Sequence, residues 1–396
     1  MAGGSGPPFR LDRLDLIACT QAAAVHAALP VLPLVARSAG GGTATVSAMV
    51  TASMLAGLAT QLPGGWWSDR VGRRPVLLVG LWLHASVAAL FLLGAGGLGG
   101  LVPLRALEGV AAALSTTSAL ALAAEAVGPG ERGRRVARLA GAQSAGYALG
   151  PALGVPFLAW GYQGTFAAAL CLAILSLLLL PGLKERSDGI VDQDETRPDR
   201  GVFPEVAATP DWPVVAMLAW RALGGGLVVG MYEATWADYM VARGAGGALI
   251  SASWAIFALP PLLFAPWVGR QLDRMGASRP LVVGSGLQAI ALATYPFWPG
   301  PAWPLAGCVL EGLGFAWSMP AHQVLSVQAA PAAVRGRILG FLGACFTAGV
   351  VAGAWFFPWF EALFPGRMFF VAALALMLPA LPFMLLRRLP VRYPIS

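Results

Sequence analysis

Two copies of one pattern, Gly65-Trp-Trp-Ser-Asp69-Arg70-Val-Gly72 and Gly269-Arg-Gln-Leu-Asp273-Arg274-Met-Gly276, stand 204 residues apart, each between long apolar runs. The spacing extends further. Leu107-Glu108-Gly109 recurs as Leu310-Glu311-Gly312, Arg132-Gly133-Arg134 as Arg335-Gly336-Arg337, and Val35-Ala36-Arg37 as Val241-Ala242-Arg243, at offsets of 203 to 206. A duplication of this length constrains the fold more than any single motif, because what one half builds the other must build again.

The apolar runs decide what is built. Pro75 to Leu93 and Phe369 to Leu386 carry almost no charge, over the roughly 18 to 20 residues that a helix needs to cross a hydrocarbon core about 30 Å thick. With 57% hydrophobic and only 11% charged residues, a soluble fold would strand too much apolar surface in water. The expected fold class is therefore an all-α membrane protein of 12 transmembrane helices in two pseudo-symmetric six-helix bundles. The spans are placed near 15–36, 44–67, 75–94, 99–126, 136–158 and 164–182, then 213–240, 246–269, 280–298, 303–328, 338–360 and 368–387. The expected organisation is an N-terminal segment 1–14, a bundle 15–183, a polar linker 184–211, a second bundle 212–388 and a tail 389–396.

Basic residues orient the bundle, since they are retained on the cytoplasmic side. Arg70, Arg73 and Arg74, the arginines from Arg132 to Arg138, those from Arg270 to Arg279, Arg335, Arg337 and those from Arg387 to Arg392 fall in alternate connections. The opposite connections hold almost only Arg37, Arg243 and Arg367. Both termini are expected in the cytoplasm, and the first span is expected to stay uncleaved. The net charge of +7 then reflects topology, with no nucleic-acid partner implied. A single lysine, Lys184, and the lack of asparagine suggest a GC-rich, bacterial source, hence an inner (plasma) membrane. Cys19, Cys171, Cys308 and Cys345 lie in apolar runs and offer no disulfide framework.

Gly65 to Arg74 resembles the loop signature G-x-x-x-D-R-x-G-R-R of the major facilitator superfamily, and the resemblance covers nearly the whole chain. It implies the major facilitator fold and a secondary transporter of the 12-span drug:proton antiporter type. Gly65 and Gly72 would allow close approach of helix and loop. Asp69, with Arg70 and Arg73 beside it, would latch onto the start of span 11 near Arg337 and Ile338 when the cavity faces outward. Asp273 and Arg274 are the weaker second copy. Gly146-Tyr-Ala-Leu-Gly150-Pro151-Ala-Leu-Gly154 resembles the span 5 signature of exporters, with Gly349 and Gly353 at the equivalent positions of span 11. Helix packing accounts for those glycines equally well, so the direction of transport rests on the resemblance.

Arg105-Ala-Leu-Glu108-Gly109 resembles the family's cavity-facing R-x-x-x-G signature, which implies proton transfer. Glu108, three residues on, shares a helix face with Arg105 and can pair with it. The second copy keeps Glu311 but has Cys308 where Arg105 stood, so Glu311 lacks a partner on its own helix. A carboxyl in that position is costly to keep charged inside a bilayer, which suits a proton carrier. Glu311, Arg105, Glu108, Glu233 and Asp238 are the candidates for proton coupling, although Glu233 and Asp238 also read as solvated at the outer mouth. The repeat sets His26 opposite Tyr232. His26, Tyr147, Tyr232, Trp236 and Trp317 are candidates for the wall of the substrate cavity, with core packing the plain alternative for each.

No phosphate-binding loop, metal-ligand spacing or nucleophile constellation accompanies these residues, so no cofactor, metal or catalytic residue is expected. The partners expected are a small amphipathic or lipophilic molecule, protons and lipid, with the chain acting as a monomer. Uptake by symport or facilitated diffusion, lipid export and a non-transporting receptor or scaffold are the alternatives.

Overall fold

The computed structural model describes residues 12–94, 97–127, 132–183, 210–329 and 334–385. Its helices are α1 (Arg13–Ala28), α2 (Leu32–Ser38), α3 (Thr43–Val71), α4 (Arg73–Leu92), α5 (Leu98–Glu125), α6 (Arg132–Gly154) and α7 (Tyr162–Leu179) in the first repeat. The second repeat has α8 (Trp212–Val241), α9 (Gly247–Met275), α10 (Ser278–Thr294), α11 (Ala302–Gln328), α12 (Arg335–Leu363), α13 (Met368–Met377) and α14 (Pro382–Leu385). A 3-10 turn, Leu29–Val31, joins α1 to α2, and similar turns extend α6, α7 and α10. Among the described residues nine of these rods are long and apolar enough to span a membrane on their own. The others are α6, with arginines at its start, α11, with Glu311 and His322, and the broken pair α13 and α14. The last span, expected as one run, is thus divided. Helices are what such a sequence must form, because a backbone in hydrocarbon has to satisfy its polar groups within its own segment.

The expected N-terminal segment, linker and tail fall wholly or largely outside the described residues. At the end of the linker Asp211 caps α8, its side chain accepting from the Val214 amide, while its own amide donates to the Ala329 carbonyl.

The two copies of the opening pattern make one kind of turn. Gly72 ends α3 at φ 106° with its amide bonded to the Ser68 carbonyl, and Gly276 ends α9 at φ 72° with its amide on Leu272. These are backbone angles that only glycine adopts cheaply. Gly65 is a correction to the expectation of close approach: a side chain there would meet nothing within 4 Å.

Close approach occurs where the exporter-like signature lies. A Cβ on Gly146, Gly150 or Gly154 of α6 would run into the α1 backbone at Cys19, Ala23 and Ala27 in turn. The second repeat meets in the same way from both sides. Gly349 and Gly353 of α12 face the Leu223 and Leu227 carbonyls of α8, and Gly226 and Gly230 of α8 face the Phe346 and Val350 carbonyls of α12. In lipid, where apolar contact drives no association, such stripes of small residues let helices gain dispersion contact. Pro151 lies inside α6, which tightens into a 3-10 turn from Val155 to Trp160, whereas α12 stays α-helical to Leu363.

One end of the bundle carries Asp69, Gly72 and most of the described arginines. There α1 is stapled to α6. Asp12 and Asp15 form a capping box at the start of α1. Arg135 donates to Asp15 at 2.7 Å, and Arg138 reaches Asp15 at 2.9 Å and Asp12 at 2.6 Å. Asp15 is fully buried. We refer to this as the basic end.

Candidate functional site

The two halves meet at the opposite end. Arg37, closing α2, forms an ion pair with Asp238 near the end of α8, and its Nη2 also donates to Thr43 at 2.8 Å. Ser47 of α3 donates to the Ala354 carbonyl of α12 at 2.5 Å, and the Trp355 indole donates to Thr51 at 2.8 Å. Val50, Ala234, Val350 and Ala354 form a buried apolar cluster beneath them. Farther along α3, Leu62 lies about three turns beyond Thr51 and therefore on the same face, yet it is 85% exposed. The surface that meets α12 at one end is uncovered at the other, so the cleft between the halves is shut opposite the basic end and opens toward it.

At the basic end the pairs seen stay within a half. Asp69 pairs with Arg73, whose Nε donates to Glu125 at 3.0 Å, and Arg70 lies over the Trp66 ring at 3.7 Å. The Asp69 side chain is 62% exposed. Among the described residues no hydrogen bond or ion pair joins Asp69 to the start of α12, in keeping with a cleft open on this side. Arg274 is exposed, and the Asp273 side chain lies outside the described residues.

Asp238, expected either as a proton-coupling acid or as solvated at the outer mouth, is 38% exposed and pairs with Arg37 where the halves meet. It lies at about the same depth as Arg37 and joins the halves rather than the cavity interior. The pair is about a third exposed on each side, so it contributes at most about 1 kcal/mol. Asp238→Asn should raise the population open at this end by up to about fivefold. Spin labels on α2 and α8 would measure it, and an unchanged distance distribution would rule out the latch.

Below that seal lies a small vault whose polar wall is Arg105, Glu233 and Tyr232, with Trp254, Met49 and Val50 among its apolar lining. Arg105 and Glu108 form the expected ion pair on α5, both buried. A helix turn sets their spacing, so that part of the site was legible in the sequence. Glu233 approaches from α8 with its Oε2 buried and lacking a hydrogen-bond partner among the described residues. It faces the vault and not the outer mouth.

Glu311 sits behind that wall, 2% exposed. It has no basic partner on its helix, as expected, but two phenols fill the gap. Tyr232 donates to its Oε2 at 2.5 Å and Tyr295 to the same oxygen at 2.9 Å. Tyr295, in the turn after α10, carried no sequence signal. Arg37 stands out in the sequence only as a repeat anchor and as one of the few arginines on the sparsely charged side.

The aromatic candidates separate. Trp236 takes the packing alternative, since it is 3% exposed, donates to Ser253 at 2.8 Å within the second half, and packs on Tyr239 and behind the vault residue Tyr232. His26 donates from Nδ1 to the Ala22 carbonyl at 3.0 Å and packs on Tyr147, which is 47% exposed. Trp317 stacks on Trp267 in the second half. Arg221 is buried, and its Nε donates to the Ser285 hydroxyl at 3.3 Å.

Comparisons with known proteins bear on this geometry. A sequence model of the Major Facilitator Superfamily matches residues 14–232 and again 214–395. The chain is 33% identical over 125 residues to "Tetracycline resistance protein, class B" of Escherichia coli, covering 30% of each. It is 35% identical over 119 residues to "Probable anion transporter 6, chloroplastic" of Arabidopsis thaliana, covering 30% of this chain and 23% of that one. The aligned stretch is thus less than a third of either relative's length. In fold the chain is similar to a D-xylose-proton symporter, with TM-score 0.72 and 18% identity over 94% of this chain and 95% of that one.

Proposed function

This chain belongs to the Major Facilitator Superfamily and is a multi-pass secondary transporter, and we propose that it exports a small amphipathic or lipophilic compound in exchange for protons. The observation that carries the reading is the vault, where a buried Arg105–Glu108 pair on one half faces the Glu233 carboxyl, its Oε2 buried, on the other. Ionisable groups at such depth are costly and mark ion or proton pathways. An exchange cycle needs groups that change charge as the cleft changes sides, and these meet across the boundary that must open.

The lipophilic character of the cargo is supported by Tyr232 and Trp254 in the vault wall. Export is supported by the Gly146 to Gly154 signature and by the similarity to the tetracycline resistance protein. If the basic end is cytoplasmic, as the arginine distribution implies, the cleft is open to the cytoplasm, the loading state of an exporter. The chain would then act as a monomer in a bacterial inner membrane with both termini inside.

The test uses proteoliposomes under an imposed pH gradient, with trapped pyranine reporting protons against a panel of lipophilic dyes. Exchange predicts dye and proton moving in opposite directions. Parallel movement would establish symport, and movement of neither would leave a scaffold.

A further inference from the structure

We propose that the Tyr232 hydroxyl is the proton relay between the vault and Glu311, an inference that rests on the proton-coupled reading above. Glu311 does not line the vault, so a proton reaching it from there has to pass the wall. Two phenols donate to the same oxygen, Oε2, but they stand in different places. Tyr295 is 0% exposed and enclosed by Trp236, Tyr239 and Phe369 in the core of the second half. Tyr232 borders the vault beside Glu233 and Arg105. Of the two, only Tyr232 touches both compartments.

The groups around Glu311 leave that route open. From α8 comes Tyr232, from the turn after α10 comes Tyr295, and Cys308 lies buried one turn earlier on α11. From α9, Phe257 packs against the adjacent Gly312. No ion pair to Glu311 is found among the described residues, whereas its repeat counterpart Glu108 is held by Arg105. A guanidinium would fix Glu311 as the anion. Phenols both donate and accept, so they keep it hydrogen-bonded whether or not it carries a proton.

In the step proposed, an O–H bond breaks on a hydronium ion in the vault, leaving water, or on the protonated Glu233 carboxyl, leaving its carboxylate, and the proton forms a new O–H bond on Tyr232. The existing Tyr232 O–H bond breaks, its proton passes to Glu311 Oε2, and the carboxylate becomes a carboxylic acid. Tyr232 is a neutral phenol before and after, and rotation of its hydroxyl resets it. The reverse sequence returns the proton.

The matched pair of phenols supplies the test. Full-length protein in lipid vesicles is given a pH jump while the carboxylic acid infrared band is followed, the Glu311 band being assigned by its loss in Glu311→Gln. Tyr232→Phe and Tyr295→Phe each remove one donor from the same oxygen and should alter resting proton affinity alike. Only Tyr232→Phe should slow protonation, by at least about tenfold, with Tyr295→Phe staying within about twofold of the parent. Equal slowing in both variants, or none in Tyr232→Phe, overturns the relay. Should Tyr232→Phe fail to fold, a ring-fluorinated tyrosine at that position keeps the shape while making the hydroxyl more acidic, and an unchanged rate would likewise overturn it. A parent protein with no Glu311-dependent band sinks the proton-coupled reading and the relay with it.

Discussion

Asp15→Asn is expected to destabilise the protein by about 3–5 kcal/mol, the usual consequence of removing one member of a buried charge cluster. Asp15 is 0% exposed and neutralises Arg135, 6% exposed, while also binding Arg138. Asparagine fills the same volume and can still accept a hydrogen bond, so the loss measures charge and not shape. Asp12 softens it only in part, since its side chain is 45% exposed and it already serves both arginines. Unfolding in mixed micelles would give the value, and a change below about 1 kcal/mol would show that water or lipid headgroups neutralise Arg135 instead. The companion Asp15→Leu with Arg135→Leu should be milder than Asp15→Asn alone, because it removes both buried charges of the pair and leaves Arg138, 32% exposed, its contact with Asp12.

Glu311→Gln is expected to abolish proton coupling, lowering gradient-driven transport by about a hundredfold or more, with insertion and fold retained. Glutamine preserves an oxygen that can accept from both Tyr232 and Tyr295, so the packing of the second half survives while the titratable group is gone. The readout is dye transport with and without an imposed pH gradient. A variant that still responds to the gradient as the parent does would remove Glu311 from the mechanism and leave the vault groups, Glu233 first, as carriers. Arg105→Ala makes a useful contrast. It strands Glu108 in a buried site and should reduce stability as well as transport, so the two variants separate a coupling role from a structural one.

Much of the architecture could be read along the chain because its determinants are local or repeat. Run length against bilayer thickness gave the spans, and the repeated Gly-x-x-x-Asp-Arg-x-Gly pattern gave two like turns, which Gly72 and Gly276 make. The Arg105–Glu108 pair followed from helical spacing alone. Where the sequence reading misjudged a residue, the error lay in which neighbour it would meet. Gly65 has the same identity as Gly72 but touches nothing that requires glycine. Trp236, a candidate for the cavity wall, turns into its own half toward Ser253. Asp238 is five residues from Glu233 on the same helix, a step of about 140° around the axis and 7.5 Å along it. One acid therefore faces the vault while the other reaches Arg37.

The amino-acid sequence by itself determined that the chain crosses a membrane, that it is doubled, and which of its charges share a helix face. These follow from periodicity and composition, quantities defined within a single segment. Only the tertiary structure decided that Glu311 is held by Tyr232 and Tyr295, that Arg37 and Asp238 close one end, and that the cleft opens at the other. Such contacts depend on the rotation and tilt at which separate helices pack. Those are set by many weak dispersion contacts and glycine-mediated approaches acting together, and no short stretch of sequence encodes them.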